Sequence, residues 1–200
     1  FIVLKRQSSL SKESERKHII LSSFIHYFFS NTKNQEPLYK FIPTLFHDIL
    51  VNYWKPVNQQ KNSIQEKNDS AINGKHAVKF GWFFFDIMIK SLAQQVRGFH
   101  QSAPEAAPFT ENGWVIDDSD EFKESLRKLI TSYSNQLLMF QGAKIKYARS
   151  GIRNLALFIR DLMPILQHDS IEELTECILE QLSSNDGNTC QLKLDFFEIL

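Results

Sequence analysis

Residues 77–99 read AVKFGWFFFDIMIKSLAQQVRGF, and the placement of their apolar side chains decides the fold. Val78, Trp82, Phe85, Ile89, Leu92 and Val96 recur at spacings of three and four, which puts them on one side of an α-helix. Phe83, Phe84, Ile87 and Met88 cover much of the remaining circumference. A helix that is apolar nearly all round has to be covered on two sides. That is the position of an inner helix in a stacked array, where each hairpin buries its face only against its neighbours. Trp82 and Phe85 are therefore expected in the core.

Working outward, the clearest periodicity precedes this block. Leu38, Phe41, Ile42, Leu45, Phe46, Ile49, Leu50 and Tyr53 fall on one face of a helix. Pro37 suits its first turn, and Pro43 predicts a kink inside it. An earlier helix is expected over 14–29, with Ile20, Phe24, Tyr27 and Phe28 on its apolar side. Downstream, Asp118 and Glu121 resemble a capping box that opens a helix to Phe140, where Gln141-Gly142 stops it. A fifth helix follows over 144–163, and Pro164 marks a kink or an end. Ser170 and Glu173 form a capping box for a sixth, and a seventh begins near Thr189.

Residues 55–76 and 100–118 are polar or interrupted by Pro, and are expected as flexible insertions. No strand of useful length and no exact internal repeat is visible. The fold expected is all-α: a right-handed, armadillo/HEAT-like α-solenoid of about seven helices. The alternative is a closed helical bundle. Long polar loops favour the open array. Residues 1–200 read as one helical-repeat segment, and both ends look like cuts in a longer protein.

The remaining chemistry mostly excludes. Lys and Arg number 23, as do Asp and Glu, so the net charge is zero. That balance argues against nucleic acid and against a basic membrane-surface module as partners. The most apolar run, Phe80 to Ile89, is broken by Asp86, and no membrane insertion is expected. The abundance of Phe, 17 residues against 7 Gly and 6 Pro, suits long packed helices. Cys177 and Cys190 could pair on paper but are expected as thiols of a reducing cytosol. The six histidines form no HExxH and no pair four apart, and Gly74-Lys75 is not a P-loop. No GxGxxG or GxSxG occurs. No catalytic, cofactor-binding or metal-ligating residue is assigned, and no cofactor is expected.

Three features leave two readings each. Asp117-Asp118 and Asp120-Glu121 suit a helix dipole, or could form an acid/base pair lacking a pocket. Arg6-Gln7-Ser8-Ser9 matches a basophilic kinase site, a pattern that also arises by chance. Lys144, Lys146, Arg149 and Arg153 make a basic stripe, either a solvated face or a contact for an acidic partner.

At residues 76–94, HAVKFGWFFFDIMIKSLAQ, the chain resembles the dedicator of cytokinesis (DOCK) family, in its zizimin-like branches. The shared block is a Trp-Phe-Phe-Phe-acidic segment followed by an apolar pair and Lys-Ser-Leu. Residues 154–166, NLALFIRDLMPIL, and 192–200, LKLDFFEIL, are similar to helices downstream of it. The resemblance covers about 38–200 and fails in the loops 100–118 and 168–190. It implies a helical scaffold between a lipid-binding region and an exchange region. The parent would be a guanine nucleotide exchange factor for Rho-family small GTPases, cytoplasmic, recruitable to membranes and able to dimerise. Its protein partners would be the GTPase, held by the exchange region, and other regions of the parent. None of the family's functional residues falls on this chain. The competing expectation is an independent helical-repeat adaptor that binds a protein or peptide.

Overall fold

The structure, a computed structural model, describes residues 12–31, 38–52, 64–102, 109–110, 113–114, 119–140, 144–183 and 187–200. The chain divides into two compact units, residues 1–36 and 37–200. In the first, α1 spans Lys12–Asn31. Ile25 is buried there; of the expected apolar side, Phe28 is half-buried and Ile20, Phe24 and Tyr27 are exposed.

The second unit opens with a 3₁₀ turn, Leu38–Lys40, followed by α2, Ile42–Asn52. A single helix with a kink at Pro43 was the expectation; instead the chain breaks before Ile42. Pro43 then lies in the first turn of α2, where its missing N–H has no acceptor to lose. The 3₁₀ turn is pinned to the next helix, because the Tyr39 N–H donates to Ser91 Oγ at 3.1 Å.

Helix α3 runs over Ile64–Ser102. Its first turns lie inside the segment expected as the insertion 55–76; residues 55–63 of that segment are outside the described residues. Low hydrophobicity alone misjudged it. After Pro56 nothing breaks a helix, and Gln, Glu, Lys and Ala have high helix propensity. Gly74 costs about 1 kcal/mol relative to Ala, which the apolar turns beyond it offset. The second expected insertion, 100–118, holds the end of α3 and a two-residue hairpin. There β1, Phe109–Thr110, pairs antiparallel with β2, Gly113–Trp114.

Four helices complete the unit: α4, Asp120–Leu138; α5, Ile145–Leu162; α6, His168–Gln181; and α7, Gly187–Phe197. Two caps differ from expectation. The N-cap of α4 is Ser119, whose hydroxyl accepts from the Phe122 N–H at 3.4 Å; Asp118 lies outside the described residues. Helix α6 starts two residues before Ser170, with Gln167 at its N-cap. Ser170 is therefore inside the helix and buried, and Glu173 turns outward to an ion pair with Arg127.

The main interfaces join helices two elements apart. Helices α2, α4 and α6 form one layer, and α3, α5 and α7 form another. Side-chain contacts show that layer neighbours run parallel. His47 meets Ser132 and Gln136 meets the Leu50 carbonyl along α2 and α4. Val78 lies against Gly151, and Phe85 stacks on Phe158, along α3 and α5. Thr131 contacts Cys177, and Arg127 pairs with Glu173, along α4 and α6. Among the described residues α2 and α3 form no comparable interface with α6 or α7. This ladder is an open α-solenoid, not a closed bundle.

The sequence separation across the last step is 46 residues in both layers, from Thr131 to Cys177 and from Arg149 to Asp195. The hairpin α4–α5 is thus followed by α6–α7 at one common offset, which the letters do not display.

Candidate functional site

An aromatic cluster lies where α2, α3, α4 and α5 converge. The Phe46 ring stacks on Phe84 at 4.3 Å and meets Phe85 edge-on at 5.8 Å. Phe85 stacks in turn on Phe158 at 4.5 Å. Tyr133 closes the cluster, with its ring edge-on to Phe85 at 5.1 Å. Its hydroxyl donates to the Val78 carbonyl at 3.1 Å and hydrogen-bonds the Asn154 side chain. Burial raises the pKa of this phenol far above its ordinary value, and the Asn154 contact opposes that only in part. A hydroxyl with fixed partners inside an aromatic cluster is a packing device; no substrate can approach it.

Two glycines make this convergence possible. A Cβ on Gly81 would lie 2.6 Å from the Tyr133 hydroxyl. A Cβ on Gly151 would lie 2.7 Å from Val78 Cγ1 and overlap Leu137 Cδ2. Gly151 therefore lets α5 seat directly on the Val78 side chain of α3, and Gly81 lets α3 seat on Tyr133, with Tyr133 and Leu137 of α4 wedged against these two glycines.

The basic stripe is largely consumed within the chain. Arg149 grips Asp195 with two parallel bonds, Nε to Oδ2 at 2.6 Å and Nη2 to Oδ1 at 2.9 Å. Arg153 reaches the same carboxylate at 4.0 Å, and Gln191 donates to it at 3.2 Å. The Asp195 side chain is 2% exposed, and the Arg149 hydrogen bonds hold its carboxyl below the usual range against the opposing effect of burial. Lys146 lies over the Tyr147 ring at 5.4 Å, and Lys144 is exposed at the N-cap of α5. Asp195 is the residue that sequence reading missed. The available signal was an acid set directly between Leu194 and Phe196 in the apolar run LKLDFFEIL.

The other singled-out residues scatter. Nδ1 of His47 and the Ser132 hydroxyl lie 2.8 Å apart across α2 and α4; His26 meets Ser30 on its own helix. His76 and His168 are exposed. Side chains of His18 and His100, and all of Arg6-Gln7-Ser8-Ser9 and Asp117-Asp118, lie outside the described residues. Asp120 and Glu121 occupy the first turn of α4, where they complement the helix dipole. Cys177 and Cys190 are both free thiols. Among the described residues, no group of three His, Cys, Asp or Glu side chains could hold a metal. A shallow groove between α4 and α6, lined by Phe122, Leu126, Leu166 and Leu174, has about 10 Å³ open to a water-sized molecule. That is room for roughly one water.

A family model described as the TPR domain of DOCK6-11 matches residues 1–200. The chain belongs to this family. No solved structure matches it. In this DOCK TPR domain the block that carries the resemblance, residues 76–94, is structural: it supplies Val78, Gly81 and Phe85 to the convergence of four helices. The match extends over α1 and the loops, beyond the stretch 38–200 in which the likeness is legible by eye. The 46-residue step is longer than the roughly 34 residues of a standard TPR unit. Among the described residues no helix is long and apolar enough to cross a membrane.

Proposed function

We propose that this domain is a non-catalytic helical scaffold within a DOCK-type guanine nucleotide exchange factor for Rho-family small GTPases. In that role it spaces a lipid-binding region from the exchange region and offers surfaces to other parts of the parent. The parent works in small-GTPase signalling in the cytoplasm and is recruited to membranes through another region. The observation that carries the reading is the parallel two-layer ladder together with the family match. Its specific polar contacts, Arg149–Asp195, Arg127–Glu173 and His47–Ser132, all fix one helix against another.

The test is release of a fluorescent guanine nucleotide from a panel of Rho-family GTPases. The 200-residue chain should leave release at the buffer rate, and the parent protein should accelerate it. Acceleration by the chain alone, or none by the parent, would defeat the proposal.

A further inference from the structure

Helix α5 and its N-cap carry Lys144, Lys146, Arg149, Arg153 and Arg160 against one acid, Asp161. Helix α7, packed along α5, adds Lys193 and Asp195, and Glu198 follows directly. Cations thus outnumber acids two to one here, in a chain whose net charge is zero. The fold does not neutralise this excess. Asp195 gives both oxygens to Arg149. Arg153 stays 4.0 Å from that carboxylate, beyond hydrogen-bond reach. Arg160 donates Nη1 to the Ile199 carbonyl at 3.2 Å, while its buried Nη2 has no partner among the described residues. Lys144 and Lys146 are exposed, and among the described residues no carboxylate pairs with either. Lys146, Ser150 and Arg153 are all exposed and recur at spacings of four and three. They form one stripe about 10 Å long on the outside of α5. Residues 1–36 hold six Lys and Arg against three Glu and no Asp, so that unit as a whole is no complement to it.

We propose that the stripe of Lys146, Ser150 and Arg153 is a docking surface for an acidic segment of a protein partner. Lys146 receives one carboxylate and Arg153 a second, about 10 Å away, with the Ser150 hydroxyl between them. Arg153 makes no hydrogen bond to Asp195, so its planar fork is available for a bidentate pair. Arg149 stays on Asp195, and docking leaves the contact between α5 and α7 intact. A protein fits this surface better than a membrane or a nucleic acid. Lipid recognition of this kind uses a dense cluster of about four to eight basic residues, and nucleic acid needs a basic domain. Two cations a fixed distance apart instead select a matching pair of carboxylates. The pairs lie at the surface, so binding is weak and falls with salt. None of this depends on exchange activity in the parent.

Fluorescein-labelled octaglutamate, titrated with the 200-residue chain at about 20 mM NaCl and read by anisotropy, should bind with a Kd of roughly 0.1–1 mM. Combining Lys146→Glu with Arg153→Gln should weaken binding at least tenfold, and Lys146→Glu alone at least threefold. Helicity and melting temperature should stay unchanged, because both side chains are exposed and Arg149 keeps Asp195. The same change of charge on α4, Lys128→Glu with Lys123→Gln, should leave the Kd within twofold. Absence of binding at low salt overturns the proposal. Equal losses from the two pairs of substitutions also overturn it, because net charge alone would then explain the attraction. So does tighter binding to phosphatidylserine vesicles that the α5 substitutions abolish, which would make a membrane the occupant.

Discussion

Gly151→Ala and Gly187→Ala make the same chemical change in two helices of one unit and should have opposite signs. Removing a helical glycine gains up to about 1 kcal/mol from propensity and from the lost freedom of the unfolded chain. At Gly187 a new Cβ meets nothing within 4 Å. Lying in the first turn of α7, this change should stabilise by about 0.5 kcal/mol. At Gly151 the Cβ lies 2.7 Å from Val78 Cγ1, overlaps Leu137 Cδ2 and comes within 3.3 Å of the Tyr133 hydroxyl. All three neighbours are fully buried, and a β-branched valine cannot rotate away. Overpacking of this kind costs about 3 kcal/mol, at the upper end of its usual range, so the net loss is about 2 kcal/mol. For about 200 residues each kcal/mol moves the melting temperature by about 2–4 °C. Gly151→Ala should then melt about 4–8 °C lower and Gly187→Ala about 1–2 °C higher, by circular dichroism with urea titrations as a check. Stabilisation at both positions would mean that α3 and α5 do not approach so closely. Loss at both would mean that the penalty has nothing to do with the helix contact.

Three further outcomes follow from the same packing. Phe85→Ala should cost about 3–5 kcal/mol in urea unfolding, and Trp82→Ala, only half-buried, about half that. Asp195 has a folded-state pKa below its ordinary 3.8. Its ion pair therefore stabilises above that value and is lost as pH falls through the lowered one. Asp195→Asn should cost about 1–3 kcal/mol at neutral pH, given a half-exposed partner, and flatten the acid limb of a stability–pH curve. Tyr133 has its pKa raised above 10.0, so stability should fall as pH rises past that value, by about 1.4 kcal/mol per unit. Tyr133→Phe should remove that alkaline slope and cost about 1 kcal/mol at neutral pH.

Periodicity was a reliable guide at α4 and α5 and a partial one before them, where Ile42, Phe46 and Leu50 are buried but Phe41 and Leu45 of the same expected face are exposed. Phe122, Leu126, Leu129, Ile130, Tyr133 and Leu137, read as the apolar side of the fourth helix, are all buried. So are Ala148, Ile152, Leu155, Phe158, Ile159 and Leu162 on the fifth. It failed at α1, because an apolar stripe says that a face can be covered and nothing about what covers it. The first turns of α3 were missed for the opposite reason: they are helical with few apolar residues, and propensity was the only signal. The capping box misled by three residues at α6, whose N-cap is Gln167; Ser170 and Glu173 have the right letters but serve the interior and an ion pair.

The 46-residue recurrence was illegible because it lives in contacts and not in letters. Thr131 with Cys177 and Arg127 with Glu173 hold α4 to α6; Arg149 with Asp195 holds α5 to α7. None of these pairs joins like residues, yet all share one separation. Equal steps in both layers mean that α6 and α7 advance together relative to α4 and α5. A hairpin that moves as a unit keeps its own interior while its interface with the previous hairpin sets the geometry. The preceding step is unequal: 85 residues from His47 to Ser132, against 73 from Phe85 to Phe158. The parallel order of α2 with α4 and of α3 with α5 survives that difference. Loop length therefore does not set the order of the layers. The contacts that do are the glycine approach of α3 to α5 and the Tyr133 wedge, both built on the block that carries the family likeness.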